Sequence, residues 1–395
     1  MNMEQLKKDL FAYSRTVGID KIGVASADPF LTLKERLQNQ QALGYQSGFE
    51  ESDIEKRTEP ERLLPGAQSI ISIALAYPSK MKDSRRGSKE DRRGQFSRAS
   101  WGKDYHHILR DRLKKLEDFI LDRVPDAQLR SMVDTGELSD RAVAERAGIG
   151  WSGKNCAIIT PEYGSYVYLG EMITNLPLPP DEPIEDLCGS CNKCVEACPT
   201  GALIQGGQLN SQKCLAFLTQ TKDFLPDEAR GKIGNTLYGW DTCQLVCPYN
   251  KAVDVHHHPE MEPDPEVVRP KLKPLLKMSN RQFKEQFGEA AGSWRGKKPI
   301  QRNAIIALAH YKDQSATGDL IELVEEDPRP VIRGTAAWAL GKIGGDGVEE
   351  ALKKAQKREK DGKVLDEIDK GLKILENEAI FPSQNEKRSV TIRKM

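Results

Sequence analysis

Apolar positions recur along the chain at two periods. Leu6, Leu10, Tyr13 and Val17 fall on one face of a helix over residues 4–17. Lys21–Ser26 (KIGVAS) and the unbroken apolar run 69–77 (SIISIALAY) predict strands, the second buried on both faces. Apolar residues at 109, 113, 116, 120 and 121 predict a second helix, and Ser139 stands at the N-cap of a third that ends near Ala147. Residues 156–160 and 166–169 predict further strands, and a β-like stretch ends at Asp134. Residues 1–176 therefore predict a mixed α/β domain. Pro177, Pro179, Pro180 and Pro183 mark its boundary. A cysteine-rich segment, 177–253, follows, and residues 254–270 form a linker with three histidines and four prolines.

Beyond the linker the pattern is helical and repeats itself. Residues 299–311 (PIQRNAIIALAHY) align with Pro330–Ile343 (PVIRGTAAWALGKI), placing Arg302 and Arg333 in equivalent positions, with a preceding helix at about 317–325. An arginine followed by spaced Ala and Leu predicts HEAT-like repeats over 271–378. So few repeats cannot close a core alone, so they are expected to pack on the preceding domain. Residues 379–395 are a polar tail, expected to be disordered.

Lys+Arg is 59 and Asp+Glu is 59 in 395 residues, which excludes a uniformly basic or acidic protein. The charge is nevertheless segregated. Residues 80–103 carry nine Lys/Arg against three acids, and residues 269–302 carry ten against Glu285 and Glu289. Two basic stretches in a neutral chain suit a nucleic-acid partner. The longest apolar run is too short to cross a bilayer. The first residues form an amphipathic, charged segment unlike a signal peptide. A cytoplasmic monomer with no membrane association is expected.

Seven of the eight cysteines lie between Cys188 and Cys247. In a reducing compartment such clustering reads as metal or redox chemistry, not a disulfide framework. Cys188-Gly-Ser-Cys191-Asn-Lys-Cys194-Val-Glu-Ala-Cys198-Pro199 is the C-x2-C-x2-C-x3-C-P run of two-cluster ferredoxins. A zinc site rarely uses four cysteines at this spacing. Cys243 and Cys247, followed by Pro248, supply the partner run. By pseudo-symmetry Cys188, Cys191, Cys194 and Cys247 hold one [4Fe–4S] cluster, and Cys198, Cys214 and Cys243 belong to the second. Symmetry asks for a cysteine at 240, where this chain has Trp240. Asp241 or solvent is the expected fourth ligand, and Cys156 a buried structural thiol.

Two motifs mislead. Gly148-Ile-Gly150-Trp-Ser-Gly153 matches a dinucleotide fingerprint, but a helix pattern precedes it and a strand pattern follows, the reverse of the required order. Its glycines suggest close approach to a large ligand. Asp134-Thr-Gly136 matches an aspartic-protease triplet with no second copy. His106 and His107 lack the D-x-H-x-x-G context of a cobalamin-ligating histidine, since position 109 is Leu, so a solvated or capping role is expected. His256, His257 and His258 read as solvated linker.

Together these features resemble the epoxyqueuosine reductases, cobalamin-dependent iron–sulfur enzymes, in their longer form with HEAT-like repeats. The resemblance spans about residues 1–375. It rests on Leu63-Leu-Pro-Gly-Ala67, Trp101-Gly-Lys-Asp-Tyr-His106, Val133-Asp-Thr-Gly136, Asp140-Arg141, Gly148-Ile-Gly-Trp-Ser-Gly-Lys-Asn155, the cysteine run and Asp241-Thr-Cys-Gln-Leu-Val-Cys-Pro248. It implies an α/β cobalamin-binding domain, a ferredoxin-like domain with two [4Fe–4S] clusters and an all-α HEAT-like domain. The implied reaction reduces epoxyqueuosine to queuosine at the tRNA wobble position, the last step of queuosine formation. Clusters deliver electrons singly, so base-off cobalamin as Co(I) is the implied two-electron reductant. Asp134 is the expected acid, its pKa raised by burial.

Arg57, Ser97, Asp134, Arg141, Ser152, Lys154 and Asn155 are the expected cobalamin contacts. The anticodon stem-loop is expected to lay phosphates on Lys222, Arg281, Arg295, Lys297, Lys298 and Arg302. An unidentified electron donor is implied. A reductive dehalogenase and a ferredoxin-like carrier on a HEAT scaffold are the alternatives, and corrinoid in the purified protein separates the carrier from the enzymes.

Overall fold

The run at Ser69–Ala76 is buried at every position because it lies inside a four-stranded antiparallel sheet. Lys21–Ser26 pairs on one side, with Val24 opposite Ile71. Val167–Thr174 pairs on the other, with Ile73 opposite Gly170, and Leu129–Met132 closes the far edge. Successive residues of a strand face opposite ways. Ile71, Ile73 and Leu75 accordingly pack with Leu6 and Leu10 of helix Met3–Thr16 and Leu109 and Leu113 of helix Tyr105–Leu121. Ile70 and Ala74 face Val143 and Ala144 of helix Asp140–Arg146.

The computed structural model describes residues 2–82 and 87–380, with side chains to residue 377. Arg85 and Arg86 of the first basic stretch, and the tail beyond 380, lie outside the described residues. Strand Val167–Thr174 runs past the expected end because Glu171 interrupts the apolar pattern while remaining buried. The expected strand at 156–160 shrinks to Ile158–Ile159, which pairs with Trp151–Ser152. Helix Leu31–Ala42 buries no residue, which is why no apolar face betrayed it.

The cysteine-rich segment is built from short turns, including helices Lys193–Glu196 and Thr242–Leu245. Helices Lys297–His310, Thr317–Glu326, Pro330–Ile343, Val348–Gln356 and Gly362–Ile380 follow. Arg302 welds them to the preceding segment. Its guanidinium donates to the carbonyls of Thr221 at 2.7 Å, Leu218 at 3.0 Å and Thr219 at 3.2 Å, and to that of Asp223. Asn303 donates to the carbonyls of Thr219 and Leu237, and Arg230 forms a two-pronged pair with Glu367. Arg302 is fully buried, which corrects its assignment as a phosphate contact. A buried arginine saturated by carbonyls is a structural brace.

The histidine linker is also pinned, contrary to the solvated reading. His257 Nδ1 and His258 Nε2 each lie 2.7 Å from the buried Asp20 carboxylate, and His258 is only 4% exposed.

Candidate functional site

The first turn of helix Tyr105–Leu121 meets the loop after strand Leu129–Met132. Asp104 caps that helix, accepting from the His106 amide at 3.0 Å, and the same oxygen lies 2.6 Å from His106 Nδ1. This turns His106 Nε2 to within 3.3 Å of Asp134 Oδ2. The Tyr105 hydroxyl donates to that oxygen at 2.9 Å. Tyr105 is itself fixed by stacking on Tyr168, centroids 4.3 Å apart and 8° from parallel. Asp134 sits in the left-handed region at φ 49°, a conformation unfavourable for a non-glycine residue and often found at functional sites. Its side chain is 54% exposed.

The charges follow from this geometry. Burial opposes a proton on His106, but the Asp104 and Asp134 carboxylates outweigh it and lift the imidazole to about 9. The His106 contact is the largest influence on Asp134 and holds its carboxyl below the ordinary range despite burial. The expectation of an Asp134 raised by burial is therefore corrected: the stored proton sits on His106. His106 is no solvated residue either: it is 17% exposed, its Nδ1 is held by Asp104, and its buried Nε2 lies at ion-pair distance from Asp134 without a hydrogen-bond partner among the described residues. Burial, then the Asp134 charge, pushes neighbouring Asp140 up to about 6. Glu171 is raised by burial and then by Asp140 and Asp134, and neither of its carboxyl oxygens has a partner among the described residues. Tyr105, Asp140 and Glu171 were missed as site residues, because their roles depend on tertiary contacts that no spacing encodes.

The remaining expected cofactor contacts divide into two groups. Burial lowers the half-buried Arg57 guanidinium; the charges of Glu50 and Asp140 oppose that and Arg141 adds to it, so these charges lie within reach of one another. Arg141 also donates to the Cys156 carbonyl. The others are committed elsewhere. Ser152 donates to Glu145 at 2.9 Å. Lys154 donates to the Gly189 carbonyl at 2.7 Å and to Asn192 at 3.1 Å, bracing the cysteine run. Ser97 is 6% exposed and packed against Gly239, where a Cβ would lie 2.0 Å from its hydroxyl. The glycine motif serves chain packing: a Cβ at Gly150 would sit 2.3 Å from the Ile159 carbonyl, and one at Gly148 would sit 2.5 Å from that of Glu182. That corrects the reading that these glycines approach a ligand.

Cys188, Cys191, Cys194 and Cys247 line one cavity with Lys154, Asn155 and Tyr249. The Asn155 side-chain nitrogen is buried there without a hydrogen-bond partner among the described residues. Burial, then Cys214, Cys194, Asp241 and Cys198, push the Cys243 thiol up to about 12. Asp241 is corrected as a cluster ligand. Its oxygens accept from the Arg98 amide at 3.1 and 3.3 Å and from its guanidinium at 2.8 Å, which commits the carboxylate to an ion pair. Cys156 adopts φ 63° and is half-buried; burial raises its thiol, and the nearby Cys194 and Cys214 add to that.

Among the basic residues, Lys222 is exposed, and Lys298 is close enough for the two charges to repel. Arg281 is 86% exposed but paired with Glu285 at 2.9 Å. Lys297 donates to the Met278 carbonyl at 2.6 Å, closing the end of helix Leu272–Lys277. Arg295 lies over Phe49 and Trp294.

Comparison with known proteins places this geometry. Residues 57–135 match the family model "Epoxyqueuosine reductase QueG, DUF1730", 187–250 match a 4Fe-4S double cluster binding domain, and 295–370 match HEAT repeats. Iron–sulfur clusters therefore belong to this chain's cysteine segment. The epoxyqueuosine reductase of Bacillus cereus is 69% identical over 375 residues, 95% of this chain and 99% of that protein. A crystal structure of an epoxyqueuosine reductase with a tRNA-Tyr epoxyqueuosine-modified stem loop superposes with TM-score 0.93 at 65% identity, covering 95% of this chain and 100% of that one. A Bacillus subtilis structure with the Asp134 catalytic loop swung out of the active site superposes with TM-score 0.93 at 64% identity, over the same shares of the two chains. On this identity and coverage, the chain belongs to the epoxyqueuosine reductase family.

Proposed function

We propose that this chain reduces epoxyqueuosine to queuosine at the wobble position of tRNA, using two [4Fe–4S] clusters and base-off cobalamin. The observation that carries the reading is the Asp104–His106–Asp134 array, an exposed carboxyl beside an imidazole that holds a proton. The reduction removes the epoxide oxygen as water and leaves an alkene, which takes two electrons and two protons. The solved relative with an epoxyqueuosine-modified stem loop supports tRNA as the substrate.

Cobalamin fits the residues present. The imidazole nearest Asp134 is turned between two carboxylates, with Nδ1 2.6 Å from Asp104 and Nε2 3.3 Å from Asp134, which suits a corrin without a histidine ligand. Arg57 and Arg141, two cations within electrostatic reach of each other and of Asp140, are suited to the corrin's amide and phosphate oxygens. When bound, cobalamin supplies two-electron reducing power that single-electron clusters lack. Asp134, 3.3 Å from His106 Nε2, would relay one proton from the imidazole to the departing oxygen, and the second, which completes the water, would come from solvent at the exposed Asp134 side chain. Asp104 keeps the imidazole charged and oriented, and the Tyr105 hydroxyl fixes the Asp134 carboxylate. The cavity lined by Cys188, Cys191, Cys194 and Cys247 and braced by Lys154 would hold the first cluster. Cys198, Cys214 and Cys243 hold the second. The test is conversion of epoxyqueuosine tRNA by anaerobically reconstituted protein. Protein that holds both cofactors and fails to convert it would overturn the reading.

A further inference from the structure

Trp294 and Phe49 stand open to solvent, 52% and 40% exposed, and the chemistry above uses neither. They meet edge to face at 5.1 Å, and Phe49 lies 5.1 Å from Phe217. The Arg295 guanidinium sits 4.8 Å from the Phe49 centroid and 4.9 Å from that of Trp294. Three parts of the chain converge here: a loop of the α/β region, the cysteine-rich segment and the entry to the helical repeats.

The cluster is rigid. Trp294 Nε1 donates to Gln220 Oε1 at 2.8 Å and lies 3.1 Å from the Tyr238 hydroxyl. Arg295 Nε donates to the Gln220 carbonyl at 3.2 Å. The turn before Trp294 is packed so closely that a Cβ at Gly292 would lie 2.8 Å from the Phe96 ring. Aromatic groups left exposed on a fixed, cation-bearing support mark an interaction surface. Tyr238 ties that surface to the active site: its strand Thr236–Tyr238 pairs with Gln95–Phe96, from which the chain runs through Trp101 to Asp104 and His106.

The occupant follows from the chemistry. A flat π surface beside an arginine, with exposed Lys222 and its neighbour Lys298 as further cations, suits an unpaired nucleobase on a polyanionic strand. We propose that Trp294, supported by Phe49 and Arg295, stacks on an anticodon-loop base flanking the wobble nucleotide and so helps hold that nucleotide splayed toward Asp134. This rests on the tRNA reading above.

The test measures affinity for an epoxyqueuosine-bearing anticodon stem-loop with wild-type protein, Trp294→Ala and Trp294→Phe. Each is titrated with the intact loop and with loops made abasic at one or the other flanking position. Trp294→Ala is expected to weaken binding about 5- to 150-fold, the range for one base–aromatic stack. Trp294→Phe should recover most of it. One abasic position should cost wild-type protein a similar factor and cost Trp294→Ala nothing further. Cobalamin and iron content should stay at wild-type levels. Unchanged affinity, or additive losses at both positions, overturns the platform. Loss of cobalamin from Trp294→Ala overturns it too, assigning the ring to the corrin. Wild-type protein that binds and converts the RNA while Trp294→Ala matches it sinks only the platform. Wild-type protein that neither binds nor converts it sinks the tRNA reading with it.

Discussion

His106 Nε2 lies 3.3 Å from Asp134 Oδ2 while Nδ1 of the same ring lies 2.6 Å from Asp104. One imidazole thus stands between two carboxylates, hydrogen-bonded to Asp104 and at ion-pair distance from Asp134.

Replacing that imidazole should remove the proton store and leave the surrounding fold standing. His106→Gln is expected to lower kcat/KM about 100-fold or more, within the usual range for general acid catalysis. Binding of cobalamin and tRNA should be little changed. Steady-state kinetics with separate cofactor titrations checks this, and wild-type turnover in the variant would refute it.

The pH dependence has a definite sign. His106 is raised from 6.5 to about 9, so its proton stabilises the fold fully below about pH 6.5 and that contribution is lost as pH rises through about 9. Turnover should fall on the same alkaline limb, with the apparent pKa belonging to the His106–Asp134 pair. A kcat/KM profile that stays flat to pH 10, with the clusters intact, would contradict the array.

The basic residues should separate by role. Lys222→Ala with Lys298→Ala should weaken tRNA binding and flatten its salt dependence by about one to two units of slope. Arg302→Ala should instead lower the melting temperature, because it strips donors from four carbonyls in a buried seam; a loss on the order of 3 kcal/mol is expected. Thermal melts beside salt-dependent binding distinguish the two. A normally stable Arg302→Ala with weakened tRNA binding would restore Arg302 to the RNA surface.

Asp241 offers a test of the second cluster. With its oxygens committed to Arg98, Asp241→Asn should retain the iron content of wild-type protein. Cys243→Ala should lose one cluster. Iron and sulfide analysis with EPR reads both, and loss of the second cluster in Asp241→Asn would make it a ligand after all.

Much of this organisation was legible in the sequence because local rules were sufficient. The residue 69–77 run reads as a strand covered on both faces, and the equivalence of Arg302 and Arg333 exposes the repeat. The cysteine spacing names its chemistry outright. The failures are tertiary. Nothing near Arg302 in sequence says that four carbonyls 79 to 84 residues away will take its donors. His106 was discounted against a cobalt-ligand motif, when its partner is a carboxylate beyond a helix and a strand. The linker histidines seemed solvated because Asp20, their partner, lies more than 230 residues earlier. Glu171 hid its strand because a buried, partnerless carboxyl breaks the apolar pattern.

The most direct test of the whole account is a single-turnover assay on anaerobically reconstituted protein, with cobalamin and both clusters quantified before mixing. Epoxyqueuosine tRNA is supplied with a chemical one-electron reductant, and the released nucleosides are resolved by mass spectrometry. Wild-type protein should yield queuosine, and Asp134→Asn should yield none while keeping its cobalamin and iron. Queuosine formed by Asp134→Asn at the wild-type rate, or none formed by fully loaded wild-type protein, would contradict it.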